Sequence, residues 1–123
     1  MNMLQLKNIM TKYGVAWEKK DVNLILDCFA VNGVYQENPL SKPYNGHGQI
    51  KKFWENIVVK KTNDIHFTLG ECHIAKDSKT GFAQWDCVNT FDGKRNKMVG
   101  IMIIRMKKDK IVYLNEYWNQ ELI

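Results

Sequence analysis

The chain has 123 residues, 45% hydrophobic and 11% aromatic, a length that buries roughly two-thirds of the unfolded surface and suits one domain spanning 1–123. Its formal charge of +5 comes from 18 Lys and Arg against 13 Asp and Glu, but only Arg95 and Arg105 are arginines and the lysines fall in scattered pairs, so a solvated surface is expected rather than a nucleic-acid face. No apolar run approaches the ~18 residues of a membrane span, no secretion-signal pattern opens the chain, and Cys28, Cys72 and Cys87 form no CxxC pair, so the expectation is a cytoplasmic protein with reduced thiols and no membrane partner.

From the N-terminus, Leu6, Ile9, Met10, Tyr13, Ala16 and Trp17 fall on one helical face, with Gly14 costing that helix ~1 kcal/mol relative to Ala. Asp21 is an N-cap for a short second helix carrying Leu24, Ile25, Cys28 and Phe29, which Asn32-Gly33 ends with turn chemistry. Val34 to Glu37 reads as a brief strand stopped by Pro39. A polar loop with Pro43, Asn45, Gly46 and Gly48 leads into a third amphipathic helix marked by Ile50, Phe53, Trp54, Ile57 and Val58.

After Lys61 the apolar period changes from near 3.6 to 2. Ile65, Phe67 and Leu69 alternate with His66, Thr68 and Gly70, and a turn at Asp77 to Gly81 follows. The next strand, Phe82 to Phe91, puts Ala83, Trp85, Cys87, Asn89 and Phe91 on one face, and Asp92-Gly93 is a hairpin signal. Met98 to Met106 is apolar on both faces, which predicts a central strand covered on either side. The last strand carries Val112, Leu114, Glu116 and Trp118 on one face and Ile111, Tyr113, Asn115 and Tyr117 on the other, so that one of its faces is expected to meet a partner subunit. Helices first and long hairpins after define an α+β class, with three helices on one face of a curved, mostly antiparallel sheet and a pocket on its concave side.

Tyr13 with Trp17, Asp21, Phe29-Ala30, Glu37-Asn38-Pro39, Gly46-x-x-x-Ile50-x-x-Phe53-Trp54 and Glu116-Tyr117-Trp118 together resemble the nuclear transport factor 2-like superfamily, in its SnoaL-like and ketosteroid-isomerase-like branch. The resemblance spans nearly the whole chain. It implies a cone-shaped, cystatin-like α+β barrel with a mixed sheet, a small-molecule pocket, a homodimer through the sheet and no cofactor. It also implies either a cofactor-free acid–base enzyme of the steroid Δ-isomerase kind or another isomerase, dehydratase or cyclase, with a non-catalytic ligand-binding or dimerisation module as the alternative. Tyr13 falls at the family's oxyanion-donating tyrosine, Glu37 at its aspartate base and Trp118 at a pocket aromatic. At the place of the second oxyanion donor, a protonated aspartate, this chain has Met102, and loss of one such donor typically costs about 2.7–4 kcal/mol.

The candidate chemistry then rests on Glu37 and Tyr13. A carboxyl against an apolar wall has a raised pKa and can exchange protons near neutral pH, whereas one at an open strand end merely caps the Asn38 to Asn45 loop. Tyr13 shares its helical face with core residues, and its hydroxyl needs Glu37, a ligand or a carbonyl as partner. Glu116, between Leu114 and Trp118, is either a second pocket carboxyl or the partner of a cation such as Arg105. His66 is either a proton shuttle in the same cavity or a surface residue. Trp17, Phe53, Trp54, Trp85, Asn89, Met102 and Trp118 complete the expected wall, and the scattered His47, His66 and His73 give no metal-ligand spacing.

Overall fold

A computed structural model describes residues 1–123. Helix α1 (Met3–Lys19) starts with a capping box, in which the Gln5 amide donates to Asn2 Oδ1 and the Asn2 amide to Gln5 Oε1, both at 2.9 Å. Lys20 closes it in the left-handed region at φ 52°. Asp21 then caps α2 (Val22–Cys28), its Oδ1 accepting from the Leu24 amide at 3.0 Å. Gly14 has a packing reason that outweighs its propensity cost. A Cβ there would stand 2.6 Å from the Phe67 ring, so glycine lets α1 lie directly on the third strand.

Strand β1 (Phe29–Gln36) begins five residues before the expected Val34. Phe29, expected to end the second helix, instead opens this strand, and the Asn32-Gly33 pair lies inside it where the pairing register shifts. A two-residue β2 (Tyr44–Asn45) leads into α3 (Gly46–Phe53), and the helix continues as a π-turn over Trp54–Val59. The wider turn keeps Trp54 and Val58 buried together with Ile50 and Phe53, so the third helix is not the uniform α-helix its spacing suggests.

Four long strands follow: β3 (Thr62–Ile74), β4 (Thr80–Phe91), β5 (Lys94–Lys107) and β6 (Lys110–Leu122). The sheet order is β2-β1-β6-β5-β4-β3, antiparallel throughout except for the parallel β1–β6 pair. Two register shifts in the β3–β4 pair and one in β5–β6 bend these strands, and the helices cover the concave side. This is the expected α+β architecture of three helices on a curled, mostly antiparallel sheet.

Two details differ from strict alternation. The β5–β6 register slips between Arg105 and Met106, so Ile111 turns inward and is fully buried instead of sharing the outer face with Tyr113. The expected two-sided cover of β5 is also absent in the isolated chain. Met102 and Ile104 are fully buried, but Val99 and Ile101 on the opposite face are each 43% exposed. No helix is long and apolar enough to cross a membrane.

Candidate functional site

Inward-facing positions of β6 step from the closed end of the cone to its mouth. Leu114 is core, Glu116 follows, Trp118 stands on a cavity wall and Gln120 lies at the rim. Gly100 of β5 pairs with Trp118 in register, and a Cβ there would meet Trp118 Cβ at 2.8 Å and the Trp85 ring at 2.9 Å. Glycine therefore allows the two indoles to close over the strand.

Glu116 is buried with two tyrosines. It accepts a hydrogen bond from the Tyr13 hydroxyl, Tyr13 and Tyr35 hydroxyls lie 2.8 Å apart, and the Tyr35 hydroxyl reaches Glu116 Oε1 at 3.5 Å, the outer limit of a hydrogen bond. No cation pairs with this carboxyl; Arg105 instead lies over the Tyr113 ring, 5.1 Å from its centroid. Burial pushes the Glu116 pKa from 4.5 to about 8, with the hydrogen bonds from Tyr13 and Tyr35 opposing the rise and the charge of Glu37 adding to it. At neutral pH Glu116 therefore holds its proton. Burial first, and the Glu116 charge second, keep both tyrosines well above their ordinary pKa, so they remain neutral hydroxyls.

Beside this cluster lies an apolar cavity of about 340 Å³, at the small end of the ~300–1,000 Å³ typical of small-molecule sites. Trp17 and the α3 and π-turn residues Phe53, Ile57 and Val58 form its helical side. Asn89, Asn96 and Met98 supply the sheet side, and Phe91 and Gln120 the rim. Glu37 is the one carboxylate on the wall, and no Lys, Arg or His joins it. Its backbone carbonyl accepts from Trp118 Nε1, which ties the end of β1 to β6, and burial raises the pKa of its carboxyl. Tyr44 stacks on Phe53 with ring centroids 4.5 Å apart and meets Tyr35 edge-on at 6.3 Å, so an aromatic layer connects the cavity to the buried cluster.

Of the residues singled out in the sequence, Glu37, Trp17, Phe53, Asn89 and Trp118 line the cavity together. Tyr13, Trp54, Trp85, Met102 and Glu116 are buried but do not line it. Tyr13 is fully enclosed, its hydroxyl committed to Glu116 and Tyr35, because glycine at the next position draws α1 down onto Phe67. Trp54 packs against Trp17 at 4.8 Å and Trp85 stacks on Phe67 at 5.8 Å. Met102 is the register partner of Glu116 and packs in the core.

His66 corrects the expectation of a cavity histidine. Alternation along β3 turns Ile65 and Phe67 toward the helices and His66 outward, where it lies 3.3 Å from Asp64 with 67% of its side chain exposed. Tyr35 was missed, although its signal was present. It stands two residues before Glu37, and strand parity puts both on one face. Tyr44, Asn96 and Gln120 join the site through strand pairing and loop closure, which no local pattern reports. No group of three or more His, Cys, Asp or Glu comes together in the geometry of a metal site.

The fold and cavity define the cone-shaped class that couples a helical lid to a curled sheet. The SnoaL-like domain family model matches residues 11–114, and the chain belongs to that family. No curated protein sequence matches it. Among solved structures, a Bacillus subtilis protein described as a candidate isomerase is similar at TM-score 0.86 and 22% identity, over 97% of this chain and 90% of that one. The epoxide hydrolase/cyclase-like enzyme SalBIII, which acts in pyran ring formation in the polyether salinomycin, is similar at TM-score 0.82 and 16% identity over 95% of both chains. An LEH-like epoxide hydrolase of M. tuberculosis is similar at TM-score 0.78 and 9% identity, covering 94% of this chain and 84% of that one. At these identities the likeness speaks for the fold alone, and the fold hosts several chemistries.

Proposed function

We propose that this chain, acting as one domain, binds a compact, largely apolar small molecule in the 340 Å³ cavity and transfers a proton on it through Glu37. The observation that carries this is a half-buried carboxyl, with a pKa raised by burial, as the only charged side chain on an apolar wall. Such a group takes up a proton from carbon or oxygen and returns it at another atom, the elementary step of an isomerase, dehydratase or cyclase. The proposed roles around it are modest. Trp118 fixes the backbone of Glu37, while Tyr13, Tyr35 and the protonated Glu116 form a neutral hydrogen-bonded floor rather than direct ligand contacts.

A thermal-shift screen of apolar ketones and enones, run on wild type and Glu37→Gln, tests the binding half. Ligands whose shift differs between the two proteins are expected, and an unchanged profile for every hit removes Glu37 from the ligand account. Deuterium wash-in at the carbon next to the carbonyl of a hit, followed by NMR in D₂O, tests the chemistry; it is expected with wild type and lost with Glu37→Gln.

A second role is favoured by the outer sheet face, where Val99, Ile101 and Tyr117 are each more than 40% exposed side by side on β5 and β6. There we propose a homodimer formed through the sheet by a cytoplasmic protein. Light scattering of the wild type is expected to give twice the chain mass, and Ile101→Lys to give the monomer.

A further inference from the structure

The sheet side of the cavity, next to its rim, carries a feature that an apolar pocket with one carboxylate does not need. Asn89 of β4 and Asn96 of β5 are register partners, 3% and 5% exposed, and both line the cavity with Gln120 of β6 beside them. The Asn89 Nδ2 has only sulfur neighbours, Cys87 Sγ at 3.5 Å and Met98 Sδ at 3.4 Å, and its Oδ1 is buried with no partner at all. Sulfur is a weak acceptor, and a buried amide oxygen without a hydrogen bond costs free energy that native structures rarely tolerate without a reason. Turning the amide over does not relieve it. Oδ1 then accepts from the Cys87 thiol, and the NH₂ group becomes the unpaired end. The side chains of Asn96 and Gln120 have no protein hydrogen-bond partner either.

Three neutral amides grouped on one side of a largely apolar cavity, whose wall carries the Glu37 carboxyl and no cation, select for a neutral polar group and against an anion. We propose that Asn89, supported by Asn96 and Gln120, is a recognition subsite for a hydroxyl on the ligand, so that the ligand class is a neutral apolar molecule bearing an alcohol at the end that faces the sheet. The inference rests on the cavity being a ligand site and is separate from the role of Glu37. A turn of the Asn89 amide about its Cβ–Cγ bond brings the enclosed, unpartnered Oδ1 onto the cavity wall, where it accepts the hydroxyl proton, Asn96 or Gln120 donates to the hydroxyl oxygen, and the apolar body lies against Phe53, Met98 and Trp118. A carboxylate in the same place would meet Glu37 without a compensating charge.

Three probes that share one hydrocarbon cage separate these terms: adamantane, 1-adamantanol and 1-adamantanecarboxylate, titrated against wild type, Asn89→Leu and Asn89→Val by tryptophan fluorescence, since Trp17 and Trp118 line the cavity. The alcohol is expected to bind wild type at least tenfold more tightly than the carboxylate. Asn89→Leu should weaken the alcohol about tenfold and leave adamantane unchanged or tighter. Asn89→Val, a β-branched residue suited to a strand, gives the same selective loss and serves where the leucine variant does not fold. If either variant weakens alcohol and hydrocarbon alike, or neither, or if the carboxylate binds best, the subsite is overturned while the cavity remains a binding site. Binding of none of the three overturns the cavity reading itself.

Discussion

Glu116→Gln should make the protein more stable, and by an amount that grows with pH. In the folded chain Glu116 is 4% exposed, has no cation partner, and keeps its proton up to about pH 8, against an ordinary value of 4.5. A group whose folded pKa is raised supports the fold fully below its unfolded pKa. That support is lost as pH rises toward the folded value, because the unfolded chain releases the proton first. The rise from 4.5 to about 8 corresponds to about 5 kcal/mol at ~1.36 kcal/mol per pH unit, of which about 3 kcal/mol is already lost at pH 7. Glutamine keeps an acceptor for the Tyr13 hydroxyl and has no proton to lose. The variant should therefore differ from wild type by under ~1 kcal/mol at pH 5, gain about 3 kcal/mol at pH 7 and level off near 5 kcal/mol above pH 8. At pH 7 that is a rise in Tm on the order of 10 °C for a chain of this size. Urea denaturation of both proteins at pH 5, 7 and 9, read by tryptophan fluorescence, measures the difference directly, and contributions from other titrating groups cancel between them. A gap that does not change with pH, or a variant less stable than wild type at pH 9, refutes the account of a neutral buried carboxyl.

Gly14→Ala should destabilise the fold by about 1–3 kcal/mol despite alanine's better helix propensity, because its Cβ would stand 2.6 Å from Phe67; chemical denaturation checks the sign. The thiols should divide by burial. Cys72 is half-buried and should react with a disulfide reagent in the native protein, whereas buried Cys28, pushed up to about 12, and Cys87, also raised by burial, should react only on unfolding, so that one equivalent is released before denaturant and three after it. Asp27, held at about 2 by hydrogen bonds from Lys110 and Lys12, lends stability that is present above its ordinary 3.8 and disappears as pH falls toward 2. Because that cluster is exposed, Asp27→Asn should cost under ~1 kcal/mol at pH 7 and nothing once the pH is below about 2, which acid-dependent melting curves can resolve.

The architecture was legible because its signals are local. The change of apolar period after Lys61 marks where helices give way to sheet, and Asp92-Gly93 adopts positive φ at both residues, 51° and 81°, the hairpin turn its sequence predicts. What escaped depends on pairing. A register slip at the start of β6 reverses Ile111, and a π-turn keeps Trp54 and Val58 on one side, neither of which the spacing of apolar residues can report. The same limit applies to the site. Glu37 was placed at the cavity chiefly by the resemblance, since a strand-end carboxyl reads equally well as a loop cap, whereas Asn96 and Gln120 reach the cavity only through the alignment of β4, β5 and β6. His66 was a case where alternation alone held the answer, since the residues flanking it face the helices.

Met102 links these two scales. The resemblance calls for a protonated carboxyl on the central strand, and Met102 fills that position; its register partner across the β5–β6 ladder is Glu116. A carboxyl kept neutral by burial is thus present in this chain, one strand over, about 5 Å away in backbone terms. The move changes what it contacts. Glu116 and the hydroxyls of Tyr13 and Tyr35 satisfy one another beneath the aromatic layer, and Glu37 is left as the group facing the cavity. Glu116 also senses Glu37, whose charge adds to its rise. Burial raises Glu37 as well, but Glu37 lies on the cavity wall rather than beneath it, and its charge, where present, helps hold the proton on Glu116. With Glu37 as the proposed base at the ligand, Glu116 stands behind it as a neutral acid near pH 7, a division of labour set by depth of burial along the neighbouring β1 and β6.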